Sequence, residues 1–152
     1  MKNNRSLAKG NTFLRIITTP LLFFAWFLPH KNLRVFFHRL RGVNIGKNVE
    51  IGYFCIIGNV NPNLIHIHDN VVVTARVTIL EHDNSYFYTH NKNVLSGETH
   101  IHQNAFIGIG SVIMPNIQIG KNTIIGSLSF VNKSIPENVI AAGSPIKVIK
   151  QF

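Results

Sequence analysis

Residues 79–85 read ILEHDNS and set an imidazole beside a carboxylate, His82 next to Asp83, at the end of the alternating run NVVVTARVTI. An imidazole, with an ordinary pKa near 6.5, is the side chain best suited to accept a proton at neutral pH. Four more histidines stand close to breaks in the pattern, His66 and His68 in IHIH and His100 and His102 in THIH, and histidine is also a common metal ligand. The single cysteine, Cys55, excludes an internal disulfide and a cysteine-rich metal cluster, which suits a reducing compartment. Proton transfer is therefore the first chemistry to weigh and histidine–metal ligation the second. Both depend on what holds these residues in place.

From residue 45 the sequence keeps a period of six. Aliphatic residues fall at Ile45, Ile51 and Ile57, at Ile67, Val73 and Ile79, and at Ile101, Ile107, Ile113, Ile119, Ile125 and Val131, which makes twelve hexads in four sets of three. Glycine follows the aliphatic at 46, 52, 58, 108, 120 and 126. Four residues after it stand Val49, Cys55, Val71, Val77, Ala105, Ser111, Thr123 and Ser129, all small or β-branched, as a second inward-facing site beside a large aliphatic requires. Cys55 is thus expected in the core. Three residues after the aliphatic stand Asn48, Asn70, Asn104, Gly110, Asn116 and Asn122, types that tolerate the left-handed backbone of a tight corner. Each hexad is one short strand plus one corner, and three corners per 18 residues give an all-β fold, a triangular prism of three parallel sheets with about four coils. Such a stack exposes strand edges at its ends. The N-terminal segment and the tail ENVIAAGSPIKVIKQF are the expected caps.

Two insertions break the period: NLIH at 63–66 and SYFYTHNKNVLSGETH at 85–100. A long excursion from a rigid scaffold is where binding and chemistry concentrate. His82 falls on a corner position and Asp83 on an inward slot, where an ionised carboxylate cannot be buried unpaired at reasonable cost. The chain is expected to leave the prism there and protrude as a loop.

With 152 residues, 45% hydrophobic and 14% charged, the chain is long enough for one domain with a core of its own, residues 42–152, preceded by a distinct segment, 1–41. The net charge of +9 is unevenly spread: eight of the fifteen Lys and Arg lie in residues 1–41, which hold no Asp or Glu. These basic residues flank FLRIITTPLLFFAWFL, a pattern that suits an anionic membrane surface better than nucleic acid. With Arg15 and Pro20 inside it, the run is too short for a span of about 20 apolar residues, and it lacks a small-residue cleavage site. A helical pair is expected here, either capping the prism or lying on a membrane surface, and the expected location is cytoplasmic or peripheral on the inner face of the membrane.

The pattern FIGIGSVIMPNIQIGKNTIIGSLSFVNKSIPENVIAAGSPIKVIK at 106–150, with AAGSPIKVIK as its most specific part and ILEHDNS before a loop as a second signature, resembles the hexapeptide-repeat acetyltransferases of the galactoside, maltose, xenobiotic and polysaccharide-modifying kind. The resemblance covers roughly residues 41–150. It implies a left-handed β-helix, a homotrimer with sites between neighbouring prisms, acetyl-CoA as co-substrate, no required metal, and a sugar or glycan acceptor in cell-surface polysaccharide synthesis. It further implies that His82 is the general base, taking the proton of a sugar hydroxyl as it attacks the thioester directly. Asp83 either orients that imidazole or solvates the loop. The amide of Ile109, together with Ser127 and Asn132, matches positions along the acetyl-bearing arm, and Lys147 matches a residue facing the CoA phosphates. GSLSFVNKS departs from the family pattern at Leu128, where glycine is usual, which points to a narrowed CoA channel. Asn59, Asn61 and Asn63 are candidates for the acceptor and equally for turn formation.

Other readings remain open at this point. The runner-up acceptor is an amino sugar, modified by N-acetylation, or a small molecule such as serine or an antibiotic. The histidines suggest a hexad-type zinc carbonic anhydrase, but the H-x4-H spacing of that relative is missing, and His68 and His102 fit surface corners. A non-catalytic assembly module is the last alternative.

Overall fold

The computed structural model describes residues 12–152, with side chains from residue 19 onward. Lys2, Arg5, Lys9 and the side chain of Arg15 lie outside the described residues.

Helices α1 (Thr12–Phe27) and α2 (Lys31–Leu40) precede the coils. The first coil holds β1 (Asn44–Ile45), β2 (Glu50–Ile51) and β3 (Ile56–Ile57), and the second β4 (Ile65–Ile67), β5 (Val72–Val73) and β6 (Thr78–Ile79). An arm follows, with β7 (His82–Asp83), α3 (Ser85–His90) and β8 (Leu95–Ser96). The third coil is β9 (Thr99–Ile101), β10 (Phe106–Ile107) and β11 (Val112–Ile113); the fourth is β12 (Gln118–Ile119), β13 (Ile124–Ile125) and β14 (Phe130–Val131). Then come β15 (Val139–Ala142) and β16 (Lys147–Gln151).

The strands stack into three sheets, ordered β1-β4-β9-β12, β3-β6-β11-β14 and β16-β15-β13-β10-β5-β2, parallel throughout except where β16 returns antiparallel on β15. Register follows the hexads: Ile67 pairs with Ile45 and with Ile101, and Ile125 with Ile107. All twelve hexad aliphatics except the partly buried Ile45 are buried, and the small slots from Val49 to Ser129 are buried beside them, Cys55 included. Burying one such isoleucine contributes about 1.5–3 kcal/mol. The glycine after each aliphatic has a steric reason: a Cβ on Gly108 would lie 2.4 Å from the amide nitrogen of Ser127 in the next coil.

The corner between the β1-β4-β9-β12 sheet and the sheet that contains β2 is an asparagine ladder. Asn48, Asn70, Asn104, Asn122 and Asn138 all have positive φ, and each Nδ2 donates to the Oδ1 of the next, at 3.2, 3.1, 2.9 and 2.9 Å. The next corner carries Phe54, Arg76, Gly110 and Leu128, also at positive φ, so there the stacking of coils imposes the conformation on residues that do not favour it. The third corner is where both insertions leave. The first contains a 3-10 turn at Pro62–Leu64, so Ile65 and His66 already belong to β4. The second ends earlier than 100, because Thr99 and His100 belong to β9.

Strand edges at the start of the prism present carbonyls with no strand to meet them, and the helices supply donors. Arg34 Nε donates to Ile51 O at 2.8 Å and Trp26 Nε1 to Cys55 O at 2.7 Å. Arg41 reaches Ile57 O at 3.1 Å and Gly58 O at 2.7 Å, and Arg39 reaches Ile45 O and Gly46 O. Guanidinium and indole groups have donors only, which is what a row of carbonyls needs. At the other end β15 adds a rung and β16 folds over it.

Beneath α2, His38 is fully buried, with Nδ1 3.2 Å from Arg41 Nη1. Burial, and next the charge of Arg41, push its pKa down from 6.5 to about 3. The folded value lies below the unfolded one, so the contribution to stability is whole above pH 6.5 and declines as the pH falls towards 3. We predict a loss of about 1.4 kcal/mol per pH unit over that window from this group. Urea denaturation at successive pH values should give a shallower acid slope for His38→Leu than for the wild type; equal slopes would contradict the assignment.

Candidate active site

The amide of Leu80 still bonds Ile113 O at 3.0 Å, so the prism is intact up to that residue. The next residue, Glu81, is 1% exposed, and a carboxylate that deep needs its lone pairs met. Its Oε1 accepts from the amides of Val60 at 2.7 Å and Asn61 at 3.1 Å, and lies 3.1 Å from His82 Nδ1. Burial alone would raise its pKa. The two amide bonds and the neighbouring His82 outweigh burial and hold the carboxyl below its ordinary 4.5.

The buried carboxylate at the exit is thus Glu81 and not Asp83. Asp83 Oδ1 instead accepts from the amide of Ser85 at 2.8 Å, shaping the turn into α3. His82 also differs from expectation: it lies in β7, opposite Ser96 of β8, and takes no positive-φ corner. The exit begins one residue earlier than the inward-slot argument placed it.

The root of the arm is pinned on both sides. Ser96 Oγ and the amide of Gly97 donate to Glu81 O at 3.0 and 3.3 Å, and Thr99 Oγ1 donates to Leu80 O at 3.3 Å. From the helix side, Arg41 holds Ile57 O, Gly58 O and Asn59 Oδ1, the last at 3.3 Å. Segment 57–61 therefore lies between Arg41 and Glu81, and Glu81 carries the imidazole. Farther out, a cleft of about 720 Å³ is lined by Tyr86, Lys92, Asn93, Val94 and Leu95.

Because Nδ1 of His82 faces a carboxylate, it bears the ring proton and Nε2 bears the lone pair in the neutral form. Cys55 offers no competing nucleophile: burial pushes its thiol up to about 11 against several weaker opposing influences, and Sγ donates to Thr74 O at 3.0 Å.

Asn59 and Asn61 both contribute to the turn, Asn59 through Oδ1 and Asn61 through its amide, while Asn63 O accepts from Asn44 Nδ2 at 2.7 Å. Ile109 and Ser127 are exposed together at the corner between β10 and β11 and its counterpart one coil on. Leu128 is 75% exposed there and lies over Gly110, where a Cβ would meet its Cδ2 at 2.8 Å. Asn132 is exposed just past β14, and Lys147 is the exposed first residue of β16. The corner of Ile109 and Ser127 borders one edge of the β3-β6-β11-β14 sheet and the arm leaves from the other. Within one chain, His82 and that corner are not brought together.

The bacterial transferase hexapeptide (six repeats) family matches residues 98–133. Galactoside O-acetyltransferase of Escherichia coli (strain K12) is 34% identical over 130 residues, covering 84% of this chain and 61% of that protein, so the chain spans less than two thirds of its relative. Among solved structures, a maltose O-acetyltransferase from Clostridium difficile 630 matches with a TM-score of 0.71 and 26% identity, covering 98% of this chain and 89% of that one. A galactoside acetyltransferase in complex with coenzyme A matches with a TM-score of 0.72 and 26% identity, covering 94% and 82%.

Glu81 has a folded pKa below its unfolded value, so its charge stabilises the fold above pH 4.5, and this is lost as the pH falls through the depressed folded value. Glu81→Gln keeps an acceptor for the two amides but loses the charge. The stability difference between wild type and variant, read from urea unfolding, should be largest above pH 4.5 and shrink in acid. A difference independent of pH would show that the charge is not held there.

Proposed function

We propose that this chain is one of the hexapeptide-repeat acetyltransferases that it resembles, a coenzyme A-dependent O-acetyltransferase acting on a sugar hydroxyl, in the setting of cell-surface polysaccharide synthesis. The left-handed sense of coiling belongs to the same reading. The observation that carries it is the contact between Glu81 Oε1 and His82 Nδ1, which leaves Nε2 as a base at the root of the arm.

In this reading Nε2 takes the proton of the acceptor hydroxyl as its oxygen attacks the thioester carbonyl carbon of acetyl-CoA. The tetrahedral intermediate collapses by breaking the C–S bond, and the imidazolium returns its proton to the departing thiolate. The products are the acetyl ester and free CoA. Glu81 holds the ring in the required tautomer and stabilises the transient imidazolium. The high thiol pKa of Cys55 supports direct transfer over an acyl-enzyme. The amide of Ile109, with Ser127 and Asn132, would line the pantetheine arm, Lys147 would face the phosphates, and Leu128 would narrow the channel. Asn59 and Asn61 at the root of the arm, and the cleft beside Tyr86, are the nearest groups for the acceptor.

The positions of His82 and the Ile109–Ser127 corner, on opposite edges of one sheet, favour a site completed by a neighbouring prism and hence a homotrimer. His82→Ala should keep its assembly state by light scattering and lower turnover about 10²–10⁴-fold, followed as thiol release from acetyl-CoA in the presence of sugar acceptors. Wild-type turnover in that variant would remove His82 from the mechanism.

The helical pair adds a membrane surface as partner, with the cytoplasmic face, where acetyl-CoA is available, as its setting. Among the described residues no helix is long and apolar enough to cross a membrane. The pair nevertheless exposes Phe23, Phe24, Phe27, Leu33, Phe36 and Leu40, in a segment without acidic residues, with Phe27 also edge-on to Phe54 of the first coil. Trp26, bonded to Cys55 O, faces the prism and not this surface. Phe23→Ser/Phe27→Ser should weaken co-sedimentation with vesicles containing anionic lipid, and salt should weaken binding of the wild type. Absence of wild-type binding at low salt would rule the anchor out.

A further inference from the structure

The sheet β1-β4-β9-β12 differs from the other two on its outward side. Parallel pairing aligns Asn44, His66, His100 and Gln118 in one outward row, while His68 and His102 follow in the next. The His66 and His100 rings stack at 4.4 Å and 7°, and the His68 and His102 rings at 4.9 Å and 19°. Glu98, the residue before β9, sets its Oε2 3.2 Å from His100 Nε2 and 4.0 Å from His66 Nε2. The three donor atoms lie within 4.8 Å of one another. His66 Nε2 is itself buried and has no hydrogen-bond partner, so a polar atom that ought to be satisfied faces this cluster.

We propose that His66, His100 and Glu98 form a binding site for a divalent transition-metal ion of the zinc class, open to solvent and separate from the acetyl-transfer chemistry. Two imidazole nitrogens and one carboxylate oxygen suit zinc, cobalt or nickel better than the hard, all-oxygen preferences of magnesium or calcium. Metal–ligand distances near 2.0–2.2 Å require donors about 3.3 Å apart in a tetrahedral site, so the 4.0 Å edge from Glu98 to His66 must contract by about 0.7 Å and no edge by more than about 1.5 Å, with the two stacked rings turning to aim at one point. Glu98 can supply the first of these movements, since its side chain is 60% exposed. Water completes the coordination. The sequence reading set these histidines aside for want of an H-x4-H spacing. Strand pairing joins residues 34 positions apart, a relation that no short spacing displays.

The site lies where the arm returns to the prism. The excursion leaves after Glu81 and ends at Glu98, so a bound ion would tie down the returning end of the segment whose outgoing end carries His82.

The test is titration of the metal-free, full-length protein with cobalt(II) and zinc(II), by calorimetry and by the visible absorption of tetrahedral cobalt. The wild type should bind one ion per chain at this site with micromolar or tighter affinity and show a higher melting temperature with zinc. Glu98→Ala, a change at an exposed side chain, should weaken binding at least about tenfold, and His66→Ala/His100→Ala should abolish the cobalt spectrum; His90→Ala, on α3, should leave both unchanged. Wild-type cobalt spectra and affinity in the Glu98 variant, or no binding by the wild type at 100-fold higher concentrations, would overturn the site.

Discussion

A parallel prism begins with carbonyls that have no strand beyond them, and the rest of this molecule is arranged around that constraint. The acceptors at the start of the first coil are Ile45, Gly46, Ile51, Cys55, Ile57 and Gly58, and the groups that meet them are three arginines and an indole. Donor-only side chains answer an acceptor-only row without introducing acceptors of their own. Three of the eight basic residues of 1–41 thus have a structural cause. Arg34, Arg39 and Arg41 serve the prism, while Phe23, Leu33, Phe36 and Leu40 of the helices stay exposed.

The same arrangement reaches the candidate site. Arg41 is buried, with its pKa lowered to about 10 by burial against the raising influence of Glu81, and it fixes the end of the first coil. Glu81 fixes Val60 and Asn61, just beyond it, from the neighbouring coil, and His82 hangs from Glu81. Each member of this chain of contacts is bonded to the next, so the imidazole at the base of a protruding arm is held by the rigid part of the fold. This is the structural basis on which the proposed role of His82 rests.

Much of the fold was legible because a hexad repeats one small set of steric demands. Inward aliphatics, small second slots and asparagine corners each occur often enough to be read without a structure, and the observed register follows them residue by residue. The exceptions have physical reasons. Phe54, Arg76 and Leu128 take left-handed corners because neighbouring coils impose them, so their identities carry no signal. Glu81 was missed because a buried carboxylate becomes acceptable only through amides 20 and 21 residues away, at Asn61 and Val60. The pairing of His66 with His100 depends on how an insertion closes, and the length of an excursion says little about where its ends meet.

The central functional claim is that the imidazole of one prism works with the Ile109–Ser127 corner of another, and co-assembly of two inactive chains tests it most directly. One chain carries His82→Ala, and the other carries Ser127→Trp to block its own corner while keeping His82. Unfolded together and refolded as mixed assemblies, they should regain roughly a quarter of wild-type thiol release, the share of interfaces that unite two intact half-sites. Mixed assemblies verified by mass spectrometry that remain as inactive as either parent would contradict the shared site and return the chemistry to a single chain.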